Sequence, residues 1–115
     1  MNNLSEQVCE VCCEGAPHLT NEEIQFLLPG IPGWQVLNVD GVRQLEKVFT
    51  FSNFVDALAF TNKLAQLAED QGHHPAILLE WGSVGVRWWT HKISGVHRND
   101  VIMAAKTDSM GERED

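Results

Sequence analysis

Glu69, His73-His74-Pro75, Trp81, His91 and Asp100 follow one another in a short stretch, and three of the chain's five histidines are among them. Histidine has an unperturbed pKa of about 6.5, so it gives and takes protons near neutral pH. Several imidazoles gathered with an aromatic side chain point to proton transfer on a flat, ring-shaped substrate. Proline disfavours helix at the residue before it, so His74 is expected in an extended connection. Adjacent residues in extended backbone point in opposite directions. One histidine of the pair is therefore expected to face a pocket fully.

Three histidines can also hold a catalytic zinc with water in the fourth position. The diverging side chains of His73 and His74 make that awkward, and the helical HExxH pair is absent. No metal ligands are assigned. Cys9, Cys12 and Cys13 form half of a zinc site at most, because no second CxxC exists and His18 is the nearest further candidate. They are read as reduced thiols on a structural or loosely ordered arm.

The elements that position the histidines follow from local signals. Thr20-Asn-Glu-Glu23 has the form of a capping box, opening a helix that Pro29-Gly30 stops near Leu28. Alternation from Trp34 leads to Asp40-Gly41, a hairpin turn, and Val42 to Phe51 returns with Leu45, Phe49 and Phe51 on one face. Ser52 or Asn53 caps a long helix whose stripe is Phe54, Ala57, Leu58, Thr61, Leu64, Ala65 and Ala68. Phe54 and Leu64 are read as core. Gly72 is the expected left-handed cap just before His73. Ala76 to Trp81 and Val84 to His91 pair across Gly82-Ser83. Val84, Val86, Trp88 and Thr90 share one face; Gly85, Arg87, Trp89 and His91 share the other. A last helix runs from about Arg98 to Ala105 or Lys106. The expected fold is α+β: a four-stranded antiparallel sheet with three helices packed on one face, in the order α-β-β-α-β-β-α. Residues 1–18 read as an extension, 19–110 as one domain, and 111–115 as a polar tail.

A chain of 115 residues is one domain and can bury a real core. Its net charge of -8 argues against nucleic acid, anionic membrane surfaces and polyanionic substrates. It suits a neutral heterocycle. No run approaches the ~20 apolar residues that span a bilayer. The first residues, MNNLSEQVCEVCCEGAP, lack the basic start and apolar run of a secretory signal. The expected compartment is the cytoplasm.

The spacing of Glu69, His73, His74, Pro75, Trp81, His91 and Asp100 resembles the signature of the pterin-4a-carbinolamine dehydratases. The resemblance runs from about Thr20 to about Asp108. It implies dehydration of 4a-hydroxytetrahydrobiopterin to quinonoid dihydrobiopterin, with no metal and no redox cofactor. His73, His74 and His91 become the catalytic set: His73 and His91 exchange protons at C4a while His74 helps bind the pterin. Glu69, Pro75, Trp81 and Asp100 become substrate-binding residues. Glu69 lies one helical turn before His73, where it either orients an imidazole or is simply solvated. Asp100 would fix an imidazole, although the helix dipole alone favours a carboxylate there. Trp81 is a pocket wall or a cross-strand packing residue. His18 and His97 fall outside the signature and are read as surface residues.

The resemblance also implies a homodimer or homotetramer, and a sheet edge paired between subunits would hide it from other partners. An exposed Trp88 or Trp89 would suit such an interface. An aromatic amino-acid hydroxylase is the expected source of substrate. Other readings are a protein-interaction or regulatory partner of that hydroxylase or of a transcription factor, and a dehydratase for another pterin, as in molybdopterin metabolism.

Overall fold

A computed structural model describes residues 18–112. The expected extension before residue 18, with its three cysteines, and the end of the expected tail lie outside the described residues.

The capping box closes as its residue types dictate. The Thr20 hydroxyl accepts the Glu23 N–H at 3.1 Å, and the Glu23 carboxylate accepts the Thr20 N–H at 2.8 Å. Helix α1 runs over Asn21–Leu27, and a 3₁₀ turn over Leu28–Gly30 ends it. Strands β1 (Gln35–Val39) and β2 (Val42–Thr50) are joined by Asp40 and Gly41, with φ of 52° and 84°. Asn53 caps α2 (Phe54–Gln71) by accepting the Asp56 N–H at 2.8 Å. Strands β3 (Ala76–Glu80) and β4 (Ser83–Trp88) form the second hairpin, and α3 spans Arg98–Glu112. The fold is the expected α+β order.

The sheet is antiparallel throughout, with strand order β1-β2-β4-β3. Leu45 pairs with Trp88, and Phe49 with Val84. These side chains project toward the helices, where they meet Ala57, Phe60, Leu64 and Ala68 of α2 and Val101, Met103 and Ala104 of α3. Each large side chain buried there contributes about 1.5–3 kcal/mol. The opposite face carries Val48, Leu78, Glu46 and Arg87, and among the described residues no helix lies over it; Val48 and Leu78 are exposed. The pairing Ala76↔Arg87 sets the start of β3 beside the end of β4. His73–Pro75 and Trp88–His91 are thereby brought to one end of the sheet.

Four local expectations change. The buried stripe of α2 is Ala57, Phe60, Leu64 and Ala68, while Phe54 and Leu58 are exposed. Phe60 is core because its ring packs on Phe49 and Phe51, with centroids 4.9 and 5.3 Å away. Strand β4 stops at Trp88 rather than His91; Thr90 forms an isolated bridge with Gly95, and His91 opens a 3₁₀ turn over His91–Ile93. Strand β3 stops at Glu80, leaving Trp81 in the turn. Helix α3 continues past Lys106 because tertiary contacts hold its poor helix formers. Thr107 accepts from Trp88 Nε1 at 3.2 Å, and Asp108 accepts from Lys47 Nζ at 2.8 Å and Trp34 Nε1 at 3.0 Å.

Candidate active site

The end of α2 delivers the histidine pair. Gly72 takes φ of 66°, which a residue with a Cβ adopts only at a cost. The His73 N–H then donates to the Ala68 carbonyl at 3.1 Å, and the Gly72 N–H to the Glu69 carbonyl at 3.2 Å. This is a Schellman motif, and it fixes His73 as the second residue beyond the helix end. The chain leaves in extended form, so the two imidazoles part.

His73 turns inward and is only 8% exposed. Its ring stacks on Trp88, centroids 5.6 Å apart and planes 9° from parallel. Its Nε2 lies 2.6 Å from Asp100 Oδ1. A carboxylate only accepts, so Nε2 carries the hydrogen and Nδ1 is the nitrogen through which His73 can exchange a proton.

Asp100 is fully buried. A buried carboxylate is costly unless donors surround it. The Thr90 hydroxyl and the His97 main-chain N–H both donate to Oδ2 at 2.8 Å. His97, expected on the surface, is 7% exposed and caps α3: its Nδ1 accepts the Asn99 N–H at 3.0 Å. It is buried because the first turn of α3, with Asp100 and Val101, packs inward at this end of the sheet. His18 is exposed, as expected.

His74 turns outward. Its Nε2 is 2.9 Å from Glu69 Oε1, and both side chains are largely in solvent. Glu69 therefore orients His74 rather than His73. Pro75 is half-buried between this pair and β3. His91 is exposed, and its ring stacks on Trp89 with centroids 4.4 Å apart. Trp88 and Trp89 are consecutive and leave the backbone in opposite directions. At the end of β4, His73 thus lies against Trp88 and His91 against Trp89.

Trp81 does not join the group. It lies at the far end of β3 from Pro75, roughly 20 Å along the strand at about 3.3 Å per residue, and is 68% exposed. Trp88 and Trp89 supply the aromatic surfaces at the histidines instead. The consecutive tryptophans beside His91 were the signal that could have pointed to them. A concavity of about 360 Å³ lies on the helix-free sheet face, and another of about 390 Å³ lies between α1 and Arg98; neither is lined by a histidine. The two histidine–carboxylate pairs sit at the sheet end.

Among the described residues, no three His, Cys, Asp or Glu side chains are grouped as a metal ion would need, and no helix is long and apolar enough to cross a membrane.

A four-stranded antiparallel sheet backed by helices, with paired imidazoles and carboxylates at one end, defines a small α+β protein. Residues 17–110 match the family described as pterin 4 alpha carbinolamine dehydratase, and the chain belongs to that family. A Marinobacter nauticus protein, provisionally named pterin-4-alpha-carbinolamine dehydratase, is 60% identical over 110 residues, covering 96% of this chain and 99% of that protein. A protein of the same provisional name from Syntrophotalea carbinolica is 57% identical over 112 residues, covering 97% of this chain and 100% of its own length. The crystal structure of a transcriptional coactivator/pterin dehydratase from Brucella melitensis superposes with a TM-score of 0.75 at 33% identity, covering 83% of this chain and 99% of that one. A pterin dehydratase-like protein identified as a RuBisCO assembly factor in the alpha-carboxysome shares the fold, with a TM-score of 0.60 at 23% identity over 70% of this chain and 90% of that one.

Proposed function

We propose that this protein dehydrates 4a-hydroxytetrahydrobiopterin to quinonoid dihydrobiopterin by histidine acid/base catalysis. The observation that carries this reading is the buried Asp100–His73 pair at the sheet end that also presents His74 and His91. Hydroxide leaves poorly, so an acid protonates it as the C4a–O bond breaks. A ring nitrogen gives up a proton to a base, and the charge balances. His73 and His91 fill these two roles, each worth about 10²–10⁴-fold. His74, oriented by Glu69, binds the pterin. Neither step calls for a metal or a redox cofactor. Trp89, half-exposed beside His91, offers flat apolar surface where Trp81 was expected to.

The product supports recycling of pterin for an aromatic amino-acid hydroxylase in the cytoplasm. The functional unit is a homodimer or homotetramer, since β1 and β3 leave two sheet edges to be paired. A second reading, a protein partner of the hydroxylase or of a transcription factor, draws support from the coactivator name of the Brucella melitensis relative. It also draws on Phe54, Val55 and Leu58, exposed together on α2. A third, dehydration of another pterin, shares the same proton chemistry.

The test is a stopped-flow assay of 4a-hydroxytetrahydrobiopterin dehydration on the wild type, His73→Ala and His91→Ala. Acceleration over buffer that collapses in both folded variants supports the enzyme and its proton-exchanging pair. A well-folded wild type that leaves the buffer rate unchanged sinks the reading.

A further inference from the structure

Thr90 stands between the two histidine-bearing segments. Its side chain is 2% exposed and its hydroxyl donates to Asp100 Oδ2 at 2.8 Å. The other oxygen of that carboxylate meets His73 Nε2 at 2.6 Å. Its main chain faces the other way. The Thr90 N–H donates to the Gly95 carbonyl at 2.8 Å, and the Gly95 and Ile93 N–H groups both donate back to the Thr90 carbonyl at 3.3 Å. These bonds close the loop that begins with His91. One residue thus ties the carboxylate behind His73 with its side chain and anchors the His91 loop with its backbone.

Strand propensity alone would account for a β-branched residue here, and valine would satisfy it equally. The hydroxyl is what valine lacks. A hydrogen bond to a carboxylate is among the stronger kinds, and a buried one is not screened by water. With Oδ2 held by the Thr90 hydroxyl and the His97 N–H, the carboxylate cannot rotate, and Oδ1 stays aimed at Nε2 of His73. That fixes the tilt of the imidazole and leaves Nδ1 as the nitrogen that Asp100 does not engage.

We propose that Thr90 is a positioning residue for the dehydration: through Asp100 it sets the orientation of His73, and through its main chain it holds His91 in register with it. The catalytic consequence rests on the dehydratase reading; the effect on His73 does not.

The experiment compares Thr90→Val and Thr90→Ser with the wild type in two measurements. One is steady-state dehydration of 4a-hydroxytetrahydrobiopterin. The other is the proton NMR signal of the His73 imidazole N–H shared with Asp100, assigned by its loss in His73→Ala. Thr90→Val is expected to lower kcat roughly 10- to 100-fold, the usual effect of removing an orienting partner, with KM changed less than about 3-fold, and to shift or broaden the N–H signal. Thr90→Ser, which keeps the donor, is expected to restore both. Wild-type kcat and an unmoved N–H signal in a folded Thr90→Val chain overturn the proposal. Should Thr90→Val fail to fold, Thr90→Ala carries the same comparison, and a folded Thr90→Ala chain matching Thr90→Ser in rate and signal overturns it. If the wild type shows no dehydration at all, the dehydratase reading fails by itself, and the NMR comparison still decides whether Thr90 orients His73.

Discussion

His73 and His74 are neighbours in sequence, and each meets a carboxylate, yet the two pairs differ in nearly every physical respect. His73–Asp100 is 2.6 Å long with side chains 9% and 0% exposed; His74–Glu69 is 2.9 Å long with side chains 63% and 74% exposed. The inner carboxylate is also fixed by Thr90 and by the His97 main chain. The outer one sits on the last turn of α2 and competes with water. An exposed pair of this kind contributes about 0–1 kcal/mol, whereas leaving a buried donor or acceptor unmet costs about 1–3 kcal/mol. The difference teaches that an imidazole paired with a carboxylate can be dry and fixed in one place and wet and loosely held in another.

The comparison breaks most sharply on the inner side. His73→Ala is expected to reduce kcat by about 10²–10⁴-fold, measured by stopped-flow dehydration. Asp100→Asn keeps the shape but changes what the group can accept; a loss of roughly 10–100-fold in kcat is expected, as for other partners that orient an imidazole. It should also cost about 1–3 kcal/mol in urea unfolding, because a donor or acceptor at this buried site is left unmet. Unchanged stability in that variant would contradict the inner pair's description. On the outer side, His74→Ala is expected to raise KM about 10-fold with kcat within about 3-fold, since a factor of ten corresponds to about 1.4 kcal/mol of binding. Equal losses of kcat for His73→Ala and His74→Ala would erase the distinction. The smallest effect is expected for Glu69→Gln: less than about 0.5 kcal/mol in stability and a few-fold in KM, fading as salt is raised.

What could be read from the residues was local. Thr20 with Glu23, Asp40-Gly41 and Gly72 each specify their own turn or cap, because the needed hydrogen bonds or positive φ lie within a few positions. These signals were enough to order the elements and to send His73 and His74 apart. Long-range partners were harder. Phe60 joins the core through Phe49 and Phe51, and Phe54, at equally good helical spacing, does not. The end of α3 is written in Trp34, Lys47 and Trp88, which lie far back in the chain. His97 was unreadable for a different reason: an imidazole is not among the preferred helix caps, so its pattern gives no warning. Trp81 follows the family spacing but sits at the wrong end of its strand to meet the histidines of its own chain. Asp100 was legible as a position, whereas its three donors come from three separate segments.

The consecutive indoles at the end of β4 have an optical consequence. An excited indole is sensitive to an imidazole stacked against it, so each of these tryptophans reports on one histidine. Trp88 lies in apolar surroundings and should emit at shorter wavelength; Trp89, half in water, should emit at longer wavelength. With Trp34 and Trp81 replaced by phenylalanine, one emission spectrum would separate the buried indole from the exposed one as two colours, without a label.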